Sequence, residues 1–157
     1  MNIPEDLKPG DLIGYYDNTF IEKAEDWKTL GRAAHIETFV GIVDGVPTTI
    51  TAKIQTGVNY YQFHSDGIVW IRRPNRSFDV DKAKVGVAQY IGKPYGWQDI
   101  FANVWIKIKI GSVDCSHISA LFVEAGGAPQ FDTSYDKTKI SPRDFETSFE
   151  SVEIYTA

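Results

Sequence analysis

One cysteine and three histidines carry most of the nucleophile and base chemistry available to this chain of 157 residues: Cys115, His35, His64 and His117. A lone thiol can form neither an internal disulfide nor a thiolate zinc cluster, so it either packs or reacts. Cys115 stands in Asp114-Cys115-Ser116. Asp114 has the chemistry of a helix N-cap, and Ile118, Leu121, Phe122 and Ala125 recur at helical intervals before Gly126-Gly127. The spacing predicts a helix with Cys115 in its first turn, where unpaired amide N–H groups and the helix dipole favour a thiolate. Against this stands the fact that cysteine is among the most buried residue types and fills cores inertly.

The histidines differ as partners for that thiol. His117 is two residues away and on a helix points to a different side. His64 lies in the polar turn His64-Ser65-Asp66-Gly67, where a solvated imidazole is expected. His35 opens the otherwise apolar run HIETFVGIV over 35–43, where an imidazole must find a hydrogen-bond partner or cost stability. It reads either as a satisfied core histidine or, with Cys115 at a helix start, as the base of a nucleophile–base pair.

Positioning these groups falls to an α+β set of elements. After the turn Lys8-Pro9-Gly10-Asp11, the run Leu12 to Tyr16 predicts a first strand. Thr19 and Glu22 have capping-box spacing, and Phe20, Ala24 and Trp27 predict a helix stopped at Gly31. Residues 35–43 predict a central strand closed by Asp44-Gly45, with further strands over Thr48–Ile54 and Gly67–Arg72 in an antiparallel sheet. Helices are expected over Asp81–Ile91 and from Trp97 to Ile108, although Ile106, Ile108 and Ile110 also alternate as a strand would. The helix after Asp114, a short one entered at Ser141-Pro142 and a strand over Val152–Tyr155 complete the expected single domain, 1–157.

Composition removes several function classes. With 16 Lys and Arg against 21 Asp and Glu, and no basic run longer than Arg72-Arg73, the chain lacks the footprint of a phosphate-backbone binder. Nucleic acid is therefore not expected as a partner. At 43% hydrophobic residues it can bury a normal core, and disorder is excluded. No window approaches the length of a membrane span, and the start MNIPEDLKPGD has neither a basic nor an apolar signal region. The expectation is synthesis in the cytoplasm without Sec export, which phage virion proteins and non-classically exported proteins share.

The His-led strand, Tyr95 in Gly92-Lys93-Pro94-Tyr95-Gly96-Trp97, and Asp114-Cys115-Ser116 followed by Leu121 to Gly126 together resemble the NlpC-type papain-like hydrolases. In ordinary members the His follows the Cys; here His35 precedes it, so the resemblance is to the circularly permuted, YiiX/YebB-like branch. Pro9-Gly10-Asp11-Leu12-Ile13, Val69 to Pro74 and Ile140-Ser141-Pro142 are similar as well, and the likeness runs from about Pro9 to Asp144. It implies a permuted papain-like fold, with an antiparallel sheet packed against helices and the nucleophile at a helix N-terminus.

Two departures stand out. Where that family carries Glu or another polar orienter before an Ala, this chain has Thr51-Ala52. A hydroxyl accepts a hydrogen bond but supplies no charge to an imidazolium. Glu37, on the His35 face of its strand, is a possible substitute or else a merely exposed or edge carboxylate, and Gln55 is a weaker substitute. His117 occupies a position where the family often has Glu, and Cys-Ser-His is faintly similar to the Cys-Glu-His of the lecithin:retinol acyltransferase-like branch.

The resemblance implies a cysteine hydrolase acting through an acyl-enzyme, with Cys115 as nucleophile, His35 as base and Thr51 or Glu37 as orienter. The Cys115 amide and Tyr95 would hold the oxyanion. Tyr60, Tyr61, Tyr95 and Trp97 could line a substrate groove, although aromatics at helical spacing are more often core and core is the favoured reading of Trp97. Substrates would be peptidoglycan stem peptides or lipid-linked acyl groups, the latter by an acyltransferase or phospholipase. No cofactor and no metal are expected. The alternative from another class is a catalytically silent papain-like module used for binding or structure, for instance in a phage particle.

Overall fold

Strand-forming residues dominate the first half of the chain. The computed structural model, which describes residues 6–16, 31–95 and 114–157, folds them into a six-stranded antiparallel sheet. Its strands are β1 (Leu12–Tyr15), β2 (His35–Val43), β3 (Val46–Lys53), β4 (Gly57–Gln62), β5 (Ile68–Pro74) and β6 (Ser151–Thr156), in the spatial order β4-β3-β2-β1-β5-β6. Asp44 and Gly45 both take positive φ, 50° and 81°, the backbone that a two-residue hairpin needs to match the twist of β2 and β3. The resulting register sets Thr38 against Ile50, and hence Glu37 beside Thr51.

The expected β2 has the observed bounds, and the neighbouring expectations hold within two residues. Strand β4 was not anticipated. Gly57 and Asn59 weaken its propensity, and it forms because β3 offers a full row of pairing partners from Thr48 to Lys53. The helices expected after Thr19 and from Trp97 lie outside the described residues.

Helices α1 (Val80–Val87), α2 (Cys115–Ala125) and α3 (Pro142–Glu146) follow the sheet-forming half. The first continues as a 3₁₀ turn over Ala88–Tyr90, so the helix expected to Ile91 tightens in its last turn. Asp114 caps α2 by accepting the His117 amide at 2.7 Å. The Asp144 carboxylate accepts both the amide and the hydroxyl of Ser141 at the start of α3.

The pleat divides the core. On one face Val40, Ile50, Ala52 and Val58 meet Ala83 and Val87 of α1 and Ile118 and Phe122 of α2. Leu12, Ile36 and Trp70 form a second cluster there with Cys115, Ala120 and Val123 of α2 and Phe145 of α3. Ile13, Tyr15, Phe39, Ile68 and Ile71 form a third cluster with Leu7 and Phe63, which contains no residue of the three helices.

Gly14, between Ile36 and Trp70 in register, shows how close this packing is: a Cβ built on it would stand 2.2 Å from the indole of Trp70. Gly14→Ala is expected to cost about 1–3 kcal/mol by overpacking. Urea denaturation of native and variant chains checks this, and an unchanged midpoint would refute the close approach.

Candidate functional site

Alternation along β2 puts His35, Glu37 and Phe39 on one side of the sheet and Ile36, Thr38 and Val40 on the other. Glu37 therefore points away from the helices, and it is fully buried, with 0% exposure. Its Oε2 accepts the Thr49 hydroxyl at 2.6 Å. Its Oε1 lies 3.1 Å from Lys53 Nζ and 3.4 Å from His35 Nε2. Burial alone pushes this carboxyl up. The hydrogen bond and charge of His35, the Lys53 ammonium and the Thr49 hydroxyl outweigh it and hold Glu37 well below the ordinary range, at about 2. Glu37 is an ionised internal anion, not an edge carboxylate.

That anion settles the tautomer of His35. An ionised carboxylate only accepts, so Nε2 carries the proton and Glu37 takes it, over a long 3.4 Å contact. Thr51 Oγ1, also 3.4 Å from Nε2, donates its own proton to the Ile36 carbonyl at 2.8 Å and is left to accept. In the neutral ring Nδ1 is then the basic nitrogen. Both candidate orienters, Thr51 and Glu37, thus reach the same imidazole atom. Gln55 does not join them, being exposed in the turn between β3 and β4.

Three further groups complete this cluster. The Lys53 ammonium sits 4.5 Å above the Tyr61 ring, whose hydroxyl is tied to the Gly57 carbonyl. Tyr15, paired with His35 across β1 and β2, has its ring centroid 6.2 Å from that imidazole. Burial first, and Glu37 second, push the Tyr15 phenol up, so it stays a neutral donor to the His64 carbonyl at 3.0 Å. His64, read from sequence as a solvated turn residue, is half exposed, yet its ring lies 4.6 Å from Tyr15 and its Nε2 4.0 Å from Glu37 Oε1. Nothing in its local sequence signals this contact.

Cys115 is the first residue of α2, as expected, and is 2% exposed. Its cluster includes Ala33 and Ile36, which stand two before and one after His35 in the chain. Its Sγ lies 4.0 Å from the Ser116 hydroxyl. No described hydrogen bond joins Sγ to the His35 ring, whose polar partners are Glu37 and Thr51. Because His35 begins β2 opposite Tyr15, the last residue of β1, its ring is at the end of the sheet. Tyr95 is buried in the cluster with Ile118 and Phe122, Tyr60 packs against the same cluster, and Trp97 lies outside the described residues.

A mixed α+β protein with a six-stranded antiparallel sheet, a buried carboxylate–imidazole pair on one face and a helix-borne cysteine on the other is the class these features define. Its fold is YiiX-like. The crystal structure of metalloprotein YiiX from Escherichia coli O157:H7 matches with a TM-score of 0.71 over 96% of this chain and 97% of that one, at 16% sequence identity. No family model matches the sequence, and a search of curated proteins finds no match. Among the described residues no helix is long and apolar enough to cross a membrane.

The Glu37 carboxyl has a definite consequence for stability. Its folded pKa is depressed, so the contribution is full above the unfolded value and is lost as pH falls towards about 2. The native chain is expected to lose on the order of 3 kcal/mol between about pH 5 and pH 2 through this group. Glu37→Gln is expected to be less stable at neutral pH and flatter in that window. Urea denaturation at several pH values decides; parallel curves for the two chains would remove Glu37 as the linked group.

Proposed function

We propose that this chain is a cysteine hydrolase of the permuted papain-like type, working as a single domain and cleaving an amide bond through a thioester. One observation carries the reading: the His35 imidazole is held through Nε2 by a buried, ionised carboxylate, leaving Nδ1 as a base at the end of the sheet. Cys115 in the first turn of α2 is the nucleophile this base would serve. Glu37 supplies the charge that Thr51 cannot, and Thr51 adds a second acceptor. Substrate binding would bring Sγ and the ring into hydrogen-bond contact, since catalytic contacts often tighten only in the bound enzyme.

In the proposed reaction Sγ bonds to the substrate carbonyl carbon as its proton passes to His35 Nδ1. The tetrahedral oxyanion is held by the Cys115 amide, with Tyr95 as second donor. The C–N bond then breaks, the leaving amine takes the proton from His35, and a thioester remains. Water attacks this thioester, giving its proton to His35. The carboxylic acid product leaves and the thiol is restored.

Peptidoglycan stem peptides or similar amides are the proposed substrates, and lipid esters the alternative acyl donors; intact-mass detection of acyl adducts on Cys115 separates them. Among the described residues no group of three or more His, Cys, Asp or Glu is arranged to hold a metal ion. Where two imidazoles approach Glu37 Oε1, the Lys53 ammonium already lies 3.1 Å from that oxygen.

A second reading, a silent module, is favoured by the near-complete burial of Cys115 in an apolar cluster. The rate of Cys115 alkylation against pH, followed by intact mass, separates the two. The hydrolase reading expects reaction in the folded chain with an apparent pKa well below the ordinary thiol value of about 8.5, raised in His35→Ala. A thiol that resists until the chain unfolds would overturn it in favour of the silent module.

A further inference from the structure

His64 is used neither by the proposed reaction nor by the core, yet it is aimed at the group on which His35 depends. Its Nδ1 lies 3.2 Å from the Asp66 carbonyl, which can only accept, so Nδ1 carries a proton. In the neutral ring, therefore, Nε2 presents a lone pair to Glu37 Oε1, 4.0 Å away. Two acceptors face each other with no proton between them. Adding a proton at Nε2 turns the contact into a cation and donor facing an anion, and the ring needs to advance about 1 Å to reach hydrogen-bond distance.

The Tyr15 hydroxyl holds the His64 backbone carbonyl, and the Tyr15 ring lies against the imidazole. The loop between β4 and β5 supplies Asp66, which receives Nδ1 through its backbone. From β2 the facing groups are Glu37 and His35, from β3 Lys53 with the neutral Thr49 and Thr51, from β1 Tyr15 and from β4 Tyr61, beneath Lys53. Glu37 is the anion at the centre of this set, and His35 and His64 address the same oxygen of it.

We propose that His64 is a proton-dependent positioning residue, which when protonated takes a share of Glu37 Oε1 and loosens the hold of that carboxylate on His35. Neutral His64 leaves Oε1 to His35 and Lys53. Protonated His64 competes for it, so the loop carrying His64 tunes the base according to its own protonation. The proposal rests on the reading of His35 and Glu37 as a pair, and it does not require Cys115 to be nucleophilic.

The test is an NMR titration of the imidazole Cε1–H resonances in the full chain, with His117 on α2 as internal reference. In the native chain the His35 curve is expected to be broader than a single-site curve, because two imidazoles share one carboxylate. In His64→Gln it is expected to sharpen and its midpoint to rise by about half a unit or more, roughly a threefold gain in proton affinity. In Glu37→Gln the His64 midpoint is expected to fall. His35 curves that superimpose in native and His64→Gln chains would overturn the proposal, as would a His64 midpoint unmoved in Glu37→Gln. Should His64→Gln fold poorly, His64→Asn repeats the measurement with a shorter side chain. No readout involves the thiol, so an unreactive Cys115 would sink the hydrolase reading and leave this result standing.

Discussion

A carboxylate with no solvent exposure, on one of the two central strands of the sheet, is the constraint around which this molecule is arranged. Left unpartnered, Glu37 would cost several kcal/mol to keep ionised or would take up a proton. It remains an anion because three strand residues converge on it: His35 two places before, Thr49 on β3, and Lys53 at the end of β3. Thr49 and Lys53 arrive through the β2–β3 register, so the hairpin turn at Asp44-Gly45 is as much a part of the site as the side chains. A slip of one residue between β2 and β3 would turn both of them to the opposite face from Glu37, leaving only His35 on its side.

The pleat also explains the separation of the two chemistries. Cys115 belongs to an apolar layer with Leu12, Ile36 and Trp70, while the imidazole next to Ile36 in the chain belongs to the polar cluster on the other side. The sheet is tied at both ends of these strands. Arg32, just ahead of β2, donates to Glu146 of α3 and to Glu153 and Thr156 of β6. Asp11, almost fully buried ahead of β1, takes a two-pronged hydrogen bond from Arg73 of β5, each prong 2.8 Å. Such bidentate pairs fix geometry as well as adding energy. The start of β2, which carries His35, is thus tied to the far edge of the sheet, and the start of β1 to its neighbour β5.

Thr51, on β3, contacts His35 but brings no charge. The stronger partner, Glu37, occupies the same strand as the histidine it serves, two residues away, where period-2 alternation alone places it on the correct face. What alternation cannot say is whether that face is wet or dry. His64 illustrates the converse: a polar turn suggests solvent, and only the folding of the loop after β4 beside Tyr15 brings its ring to the carboxylate.

Local patterns were enough to determine the helix that begins at Cys115, the cap at Asp114, the span of β2 and the turn that follows it. Each depends on interactions between residues a few places apart, such as a cap reaching three residues on or two φ values set by Asp44 and Gly45. Strand β4, the burial and ionisation of Glu37, the proton placement on His35 and the approach of His64 were decided by tertiary structure. All four depend on which surfaces are brought together and dried between packed elements, and the energy of a charge depends on that drying more than on the identity of its neighbours in the chain.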